Sequence, residues 1–88
     1  MRKRLVFYGD AFEDYLYWQT QDRKILKRIN QLMQDIDRNG NNGIGKPEAL
    51  KHSYKGCWSR RINDEHRLVY KIVGDEIQIF SCRFHYGE

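Results

Sequence analysis

The hydrophobic period of this chain changes once, and that change limits what the chain can fold into. Ile25, Leu26, Ile29, Leu32, Met33 and Ile36 recur at the spacing of one helical face. Lys24, Lys27, Arg28, Gln31 and Asp35 fall on the opposite face, so the stretch reads as an amphipathic helix. From Cys57 onward the apolar positions alternate with period two, the spacing of half-buried strands. The two regimes are separated by Asn39-Gly-Asn-Asn-Gly-Ile-Gly45. Glycine and asparagine there supply the left-handed conformations that stop a helix. Helices that precede a run of antiparallel strands define an α+β architecture.

Local signals fill in the order. Lys3 to Tyr8 is rich in β-branched and aromatic residues and reads as a strand. Asp10-Ala-Phe-Glu13 has the spacing of an N-cap with an acid at the third helical position. Phe12, Tyr15, Leu16 and Gln19 then follow at helical spacing. A break at Thr20–Asp22 separates this first helix from the second, making a helical hairpin. Cys57–Ile62, His66–Val73 and Glu76–Phe84 read as three strands, joined by Asn63-Asp-Glu and by Gly74-Asp75. The latter is a hairpin signal, because glycine accepts the positive φ of a primed turn. The expected order is β-α-α-β-β-β in a single domain over residues 1–88. The hairpin should cover one face of an antiparallel-rich sheet and leave the other face open.

Charge says where function lies. Sixteen basic residues against twelve acidic give a formal charge of +4. Lys46, Lys51, Lys55, Arg60 and Arg61 lie within 16 residues and are opposed there only by Glu48. Residues 72–88 carry one basic and three acidic groups. Tyr54 and Trp58 are interleaved with the basic window. Cations beside aromatic rings suit phosphate contact and base stacking, so a polyanionic partner is expected. No apolar run reaches the roughly 18 residues needed to span a bilayer. The basic start is followed by too short an apolar stretch for a signal peptide. Two cysteines are too few for a secreted disulfide scaffold, so a cytoplasmic setting with reduced thiols is the expectation.

Two motifs come close to known sites and are set aside. Gly40-Asn-Asn-Gly-Ile-Gly45-Lys46-Pro47 nearly spells a phosphate-binding loop. It follows a helix instead of a strand, and Pro47 occupies the place of the magnesium-binding hydroxyl. Cys82-Arg-Phe-His85 has half of a zinc spacing, but no second short-spaced pair completes it. Cys57 and Cys82 read as buried or half-buried thiols, and neither metal nor cofactor is expected.

What remains is acid/base chemistry carried by side chains: Glu48, Lys51, Arg61, Arg67, His85 and Tyr86. Each has an ordinary reading too. Glu48 after Pro47 suits the first turn of a short helix, Arg61 and Arg67 suit outward strand positions, and His85 suits a frayed end. As a set they match RNA cleavage through the ribose 2′-hydroxyl. That reaction needs a base, cations for the five-coordinate phosphate, and an acid for the leaving 5′-oxygen.

At these residues the chain resembles the YoeB toxins of the RelE/ParE superfamily of type II toxin–antitoxin systems. The carriers are Asp14-Tyr-Leu-Tyr-Trp18, Lys27-Arg-Ile-Asn30 and Gly45-Lys-Pro-Glu-Ala-Leu-Lys-His52. Trp58-Ser-Arg-Arg-Ile62, Glu65-His-Arg-Leu-Val-Tyr70 and Cys82-Arg-Phe-His-Tyr86 complete them. The resemblance implies the RelE/YoeB-like microbial ribonuclease fold and an endoribonuclease that enters the A site of the 70S ribosome, cuts mRNA there and arrests translation. It implies a neutralising YefM-like antitoxin and a homodimer. Carried over by position, the general base falls on Glu48 and the phosphate-stabilising arginine on Arg67. The general acid falls on His85, with its neighbouring aromatic Tyr86. Lys51 and Arg61 are supporting cations, and Lys46 and Trp58 are looser contacts, to RNA or to the protein's own packing. Two features depart from the family pattern: Ala49 replaces a common proline, and Gly87 and Glu88 follow the His-Tyr pair. The rival expectation is a non-catalytic binder on the same fold, either a gyrase-inhibiting toxin or a basic nucleic-acid-binding module. Such a binder has no need of Glu48, Arg67 and His85 together.

Overall fold

The computed structural model describes residues 1–84. Their order is β1 (Arg4–Phe7), α1 (Gly9–Gln21), α2 (Arg23–Asn39), β2 (Glu48–Ala49), β3 (Trp58–Arg61), β4 (Arg67–Val73) and β5 (Glu76–Ser81). A single 3-10 turn at His52–Tyr54 lies between β2 and β3.

The sheet runs β1-β5-β4-β3-β2. Strand β1 pairs in parallel with β5, placing Arg4 beside Glu76 and Phe7 beside Ile79. The remaining pairs are antiparallel. A parallel pair needs a long crossover, and the helical hairpin is part of it. The α+β reading, with both helices on one face, describes the molecule.

Asp22 divides the helices. Its carboxylate accepts from the backbone N–H of Lys24 and Ile25, satisfying donors that a helix start leaves free. Helix α2 buries Ile29, Leu32, Met33 and Ile36 against Leu68, Tyr70, Ile77 and Ile79 of the sheet. Gly40 ends it with φ +66. In α1 the buried face is Ala11 and Trp18, with Tyr15 half-buried, whereas Phe12 and Leu16 are exposed. Trp18 Nε1 donates to the Cys82 carbonyl at 2.8 Å, and the Cys82 N–H donates to Asp14 at 3.0 Å, tying α1 to the end of β5.

The local expectations need three corrections. The first helix starts two residues earlier than its N-cap spacing implied: Tyr8 is the cap residue, and Asp10 lies within the first turn. There the acid still meets the positive end of the helix dipole. Glu48 is not in a short helix but in β2, an edge strand of two residues. The last strand stops at Ser81 instead of reaching Phe84, and Phe84 takes φ +64, which no strand allows.

Candidate active site

Strand register decides which side chains share a face. Residues directly opposite on paired strands point the same way, as do residues two apart on one strand. Glu48 lies opposite Ser59, and Ser59 opposite Val69. Arg61 lies opposite Arg67. Glu48, Ser59, Arg61, Arg67, Val69 and Lys71 therefore lie on the sheet face opposite α1 and α2. Ser59 and Val69 are nevertheless buried there, so this face is not open throughout, contrary to expectation. Strand spacings of about 4.8 Å and a rise of about 3.4 Å per residue put the Glu48 Cα about 8 Å from Arg61 and about 12 Å from Arg67.

Glu48 and Arg61 are exposed and Arg67 is half-buried. No described residue forms an ion pair with any of the three. The Arg67 guanidinium is nevertheless held. Its Nη1 donates to the carbonyls of Asn63 (2.7 Å), Asp64 (3.2 Å) and His66 (3.1 Å) at the β3–β4 turn. Neutral carbonyls fix the group without cancelling its charge. Like charges directly opposite on a sheet repel, so the Arg61–Arg67 pair stores positive potential that an anion would relieve.

The other expected cations stand at the margin. Lys46 is exposed with φ +51, two residues before Glu48. Lys51 and Lys55 are exposed on the arch between β2 and β3. The arch is closed by Leu50 N–H to Cys57 O at 2.9 Å. Trp58 lies on the opposite face, partly buried against the core. The packing contact expected for it is present. His85 and Tyr86 lie outside the described residues. Just before them, Phe84 is hydrogen-bonded through its carbonyl to the Arg67 N–H at 3.1 Å.

Comparison with known proteins shows the family of the chain. The sequence pattern of the YoeB-like toxins of bacterial type II toxin–antitoxin systems matches residues 7–86. The chain belongs to that family. Toxin YoeB of Escherichia coli K12 is 49% identical over 83 residues, 94% of this chain and 99% of that one. The structure of a YoeB dimer from Staphylococcus aureus superposes with a TM-score of 0.92 at 53% identity, covering 98% of this chain and 100% of that one. A heterotetrameric YoeB–YefM complex from the same organism gives a TM-score of 0.90 at 53% identity, again covering 98% of this chain and 100% of that chain.

Within this YoeB-family chain, Arg60 departs most from its expected role. It is fully buried. Its Nη1 donates to Asp35 (2.5 Å) and the Ile44 carbonyl (2.9 Å), and its Nη2 to the carbonyls of Gly40 (2.6 Å) and Asn42 (2.9 Å). Its Nε donates to the Tyr70 hydroxyl at 3.2 Å. The segment that resembled a phosphate loop thus aims carbonyls inward, at a cation. A phosphate cradle aims N–H groups inward instead, which gives the physical ground for setting that motif aside. The adjacent Arg60 and Arg61 must point to opposite faces of β3, so period two could have shown that one of them turns inward.

Burial tends to raise the Asp35 carboxyl. Hydrogen bonds from Arg60, the Ile44 N–H and Asn39 outweigh it, with the Arg60 charge adding to them, and hold the group below its ordinary range. Cys82 is buried, and burial together with nearby Asp14 pushes its thiol up to about 12. Cys57 is half-buried and is also raised by burial, against a partial opposing effect from Lys71. Both are thiols of the expected kind, without thiolate reactivity. Among the described residues no cluster of three or more His, Cys, Asp or Glu is disposed to hold a metal.

Proposed function

We propose that this chain is an endoribonuclease that cuts mRNA in the ribosomal A site and so inhibits translation. Glu48 takes the proton from a ribose 2′-hydroxyl, which attacks the adjacent phosphorus. Arg67, assisted by Arg61 and Lys51, stabilises the charge that grows on the five-coordinate phosphate. His85 protonates the departing 5′-oxygen, with Tyr86 beside it. The products are a 2′,3′-cyclic phosphate and a 5′-hydroxyl. Base, cation and acid are all side chains, so the reaction calls for no cofactor. Lys46 serves as a looser RNA contact, and the protein works in the cytoplasm, where ribosomes are.

One observation carries this reading: Glu48 and the Arg61–Arg67 pair share the sheet face opposite α1 and α2, and none of the three forms an ion pair with a described residue. A carboxylate paired with a cation would be a poor base, and a neutralised arginine a poor phosphate ligand. The +4 charge supports RNA as partner in its active state. For the silenced state we propose an acidic YefM-like antitoxin over the same cations; the Staphylococcus aureus relative is joined to YefM in its complex. A homodimer is proposed from the related dimer structure.

The test is to map new 5′ ends on one message with and without ribosomes. Cuts within A-site codons that need ribosomes and vanish in Glu48→Ala, Arg67→Ala and His85→Ala are expected. Undiminished cutting in all three variants would overturn the reading. DNA damage preceding translational arrest would favour the gyrase-inhibiting alternative.

A further inference from the structure

The residue before the expected general acid is held by a buried histidine that the mechanism does not use. His66 is 6% exposed. Its Nδ1 accepts from the Phe84 N–H at 2.7 Å. A backbone N–H can only donate, so Nδ1 carries no proton in this arrangement. Phe84 is gripped a second time through its carbonyl, which accepts from the Arg67 N–H at 3.1 Å.

Side chains close a ring around this grip. The Trp18 ring meets His66 edge-on at 4.8 Å, and His66 meets Phe84 at 5.4 Å. The Arg83 guanidinium lies 3.6 Å from the Tyr17 ring centroid and 4.6 Å from that of Phe84. Tyr17 packs edge-on against Trp18 at 5.0 Å. Phe84 is kept at φ +64, a left-handed conformation that costs a bulky residue energy and persists only where its surroundings enforce it. These contacts stabilise the fold around Trp18, and they also fix the direction in which the chain leaves a half-exposed phenylalanine.

We propose that His66 is a positioning residue for the ribonuclease reaction: by accepting from the Phe84 N–H it fixes the backbone from which His85 extends. The inference rests on the function proposed above. His66 faces the carboxylate of Glu65, 3.6 Å from its Nε2, and its carbonyl holds Arg67. One residue thereby links the phosphate-binding arginine to the chain that carries the acid. Geometry at a reacting centre is unforgiving, a misplacement of about 1 Å costing on the order of 100-fold in rate.

Cleavage of ribosome-bound message under saturating and subsaturating conditions tests this. His66→Ala is expected to lower kcat by about 10- to 100-fold with KM within about twofold. His66→Asn, whose Oδ1 stands where Nδ1 does, is expected to recover most of that loss. His66→Gln, whose acceptor lies one bond further out, is not. In a His85→Ala background His66→Ala should add no further loss, because a residue acting through His85 has nothing left to position. A full additional loss in that background, equal activity of the Asn and Gln variants, or a KM effect without a kcat effect would each overturn the inference. The Asn and Gln comparison stands even where the alanine variant does not fold. A fully active His66→Ala beside an inactive His85→Ala would overturn this inference and leave the ribonuclease reading intact. A fully active His85→Ala would overturn this inference and the acid role of His85, whereas undiminished cutting in Glu48→Ala and Arg67→Ala as well would be needed to overturn the ribonuclease reading.

Discussion

Glu48 and Asp35 are both carboxylates near arginines, and their surroundings are opposite: one is exposed and without an ion pair to a described residue, the other is paired with a buried arginine. Glu48 is exposed and forms no ion pair with a described residue, so Glu48→Gln should leave stability within about 0.5 kcal/mol of the parent. The same change should cut cleavage by about 100-fold or more by removing the proposed base. Thermal melts and cleavage rates on the same samples would separate the two effects. Asp35 is instead committed to buried Arg60. Breaking such a pair costs about 3 kcal/mol, and Asp35→Asn should show a loss of that order in urea melts at pH 7. The pH dependence comes from the lowered carboxyl. Its contribution is fully present above the unfolded value near 3.8 and fades as pH falls through the lower folded value. The gap between parent and Asp35→Asn should therefore be constant from pH 7 to about 5 and narrow below about 4. A gap unchanged at pH 3 would contradict the assignment.

At the scale of elements, the loop between α2 and β2 does the positioning. Its carbonyls close on Arg60, and Gly45 O accepts from the Arg61 N–H at 2.7 Å. Gly45 is required twice over. Its φ is +82, and a Cβ there would lie 2.8 Å from Leu32 Cδ2 and 3.3 Å from the Arg61 carbonyl. Gly45→Ala should cost about 1–3 kcal/mol. It should also lower activity beyond what stability explains, because Lys46, Pro47 and Glu48 come directly after it. Full activity in a folded Gly45→Ala protein would show that the loop does not aim the proposed base. Helix capping is a simpler case. Asp22→Ala removes the acceptor for Lys24 and Ile25 and should cost about 1 kcal/mol. That loss should shift the urea midpoint with the m-value unchanged and activity intact.

For the whole molecule, the +4 charge has to be read after folding. Arg60 is withdrawn into the interior and neutralised by Asp35. Lys46, Lys51, Lys55 and Arg61 remain exposed against Glu48, and Arg67 and Lys71 join them from β4. Removing one cation from a phosphate lowers the salt slope of RNA binding by about one unit. A Lys51→Ala, Arg61→Ala double variant should therefore flatten the salt dependence of RNA binding by up to about two units. Arg60→Lys should leave the slope alone and lower the melting temperature. A flattened slope in Arg60→Lys would mean that the buried arginine reaches the RNA.

The two hydrophobic periods, the Asp22 break, the Gly40 stop and the Gly74-Asp75 turn are local. Each depends on neighbours within a helical turn or a hairpin, so the sequence alone determined the helical hairpin, the strand run and the α+β class. The family resemblance carried the residue types of the proposed site in the same way, as short blocks. Pairing and facing are different in kind. A two-residue strand at Glu48–Ala49 has no periodicity to detect; it exists because β3 offers it a ladder. The parallel contact between β1 and β5 joins residues more than 70 positions apart. Arg60 and Arg61 look alike along the chain, and only the packing of α2 made one a buried strut for the loop and the other half of a cationic pair. His66 became the acceptor that holds Phe84 for the same reason: hydrogen-bond partners this distant are chosen by sheet register and helix docking, which exist only once the chain has closed on itself.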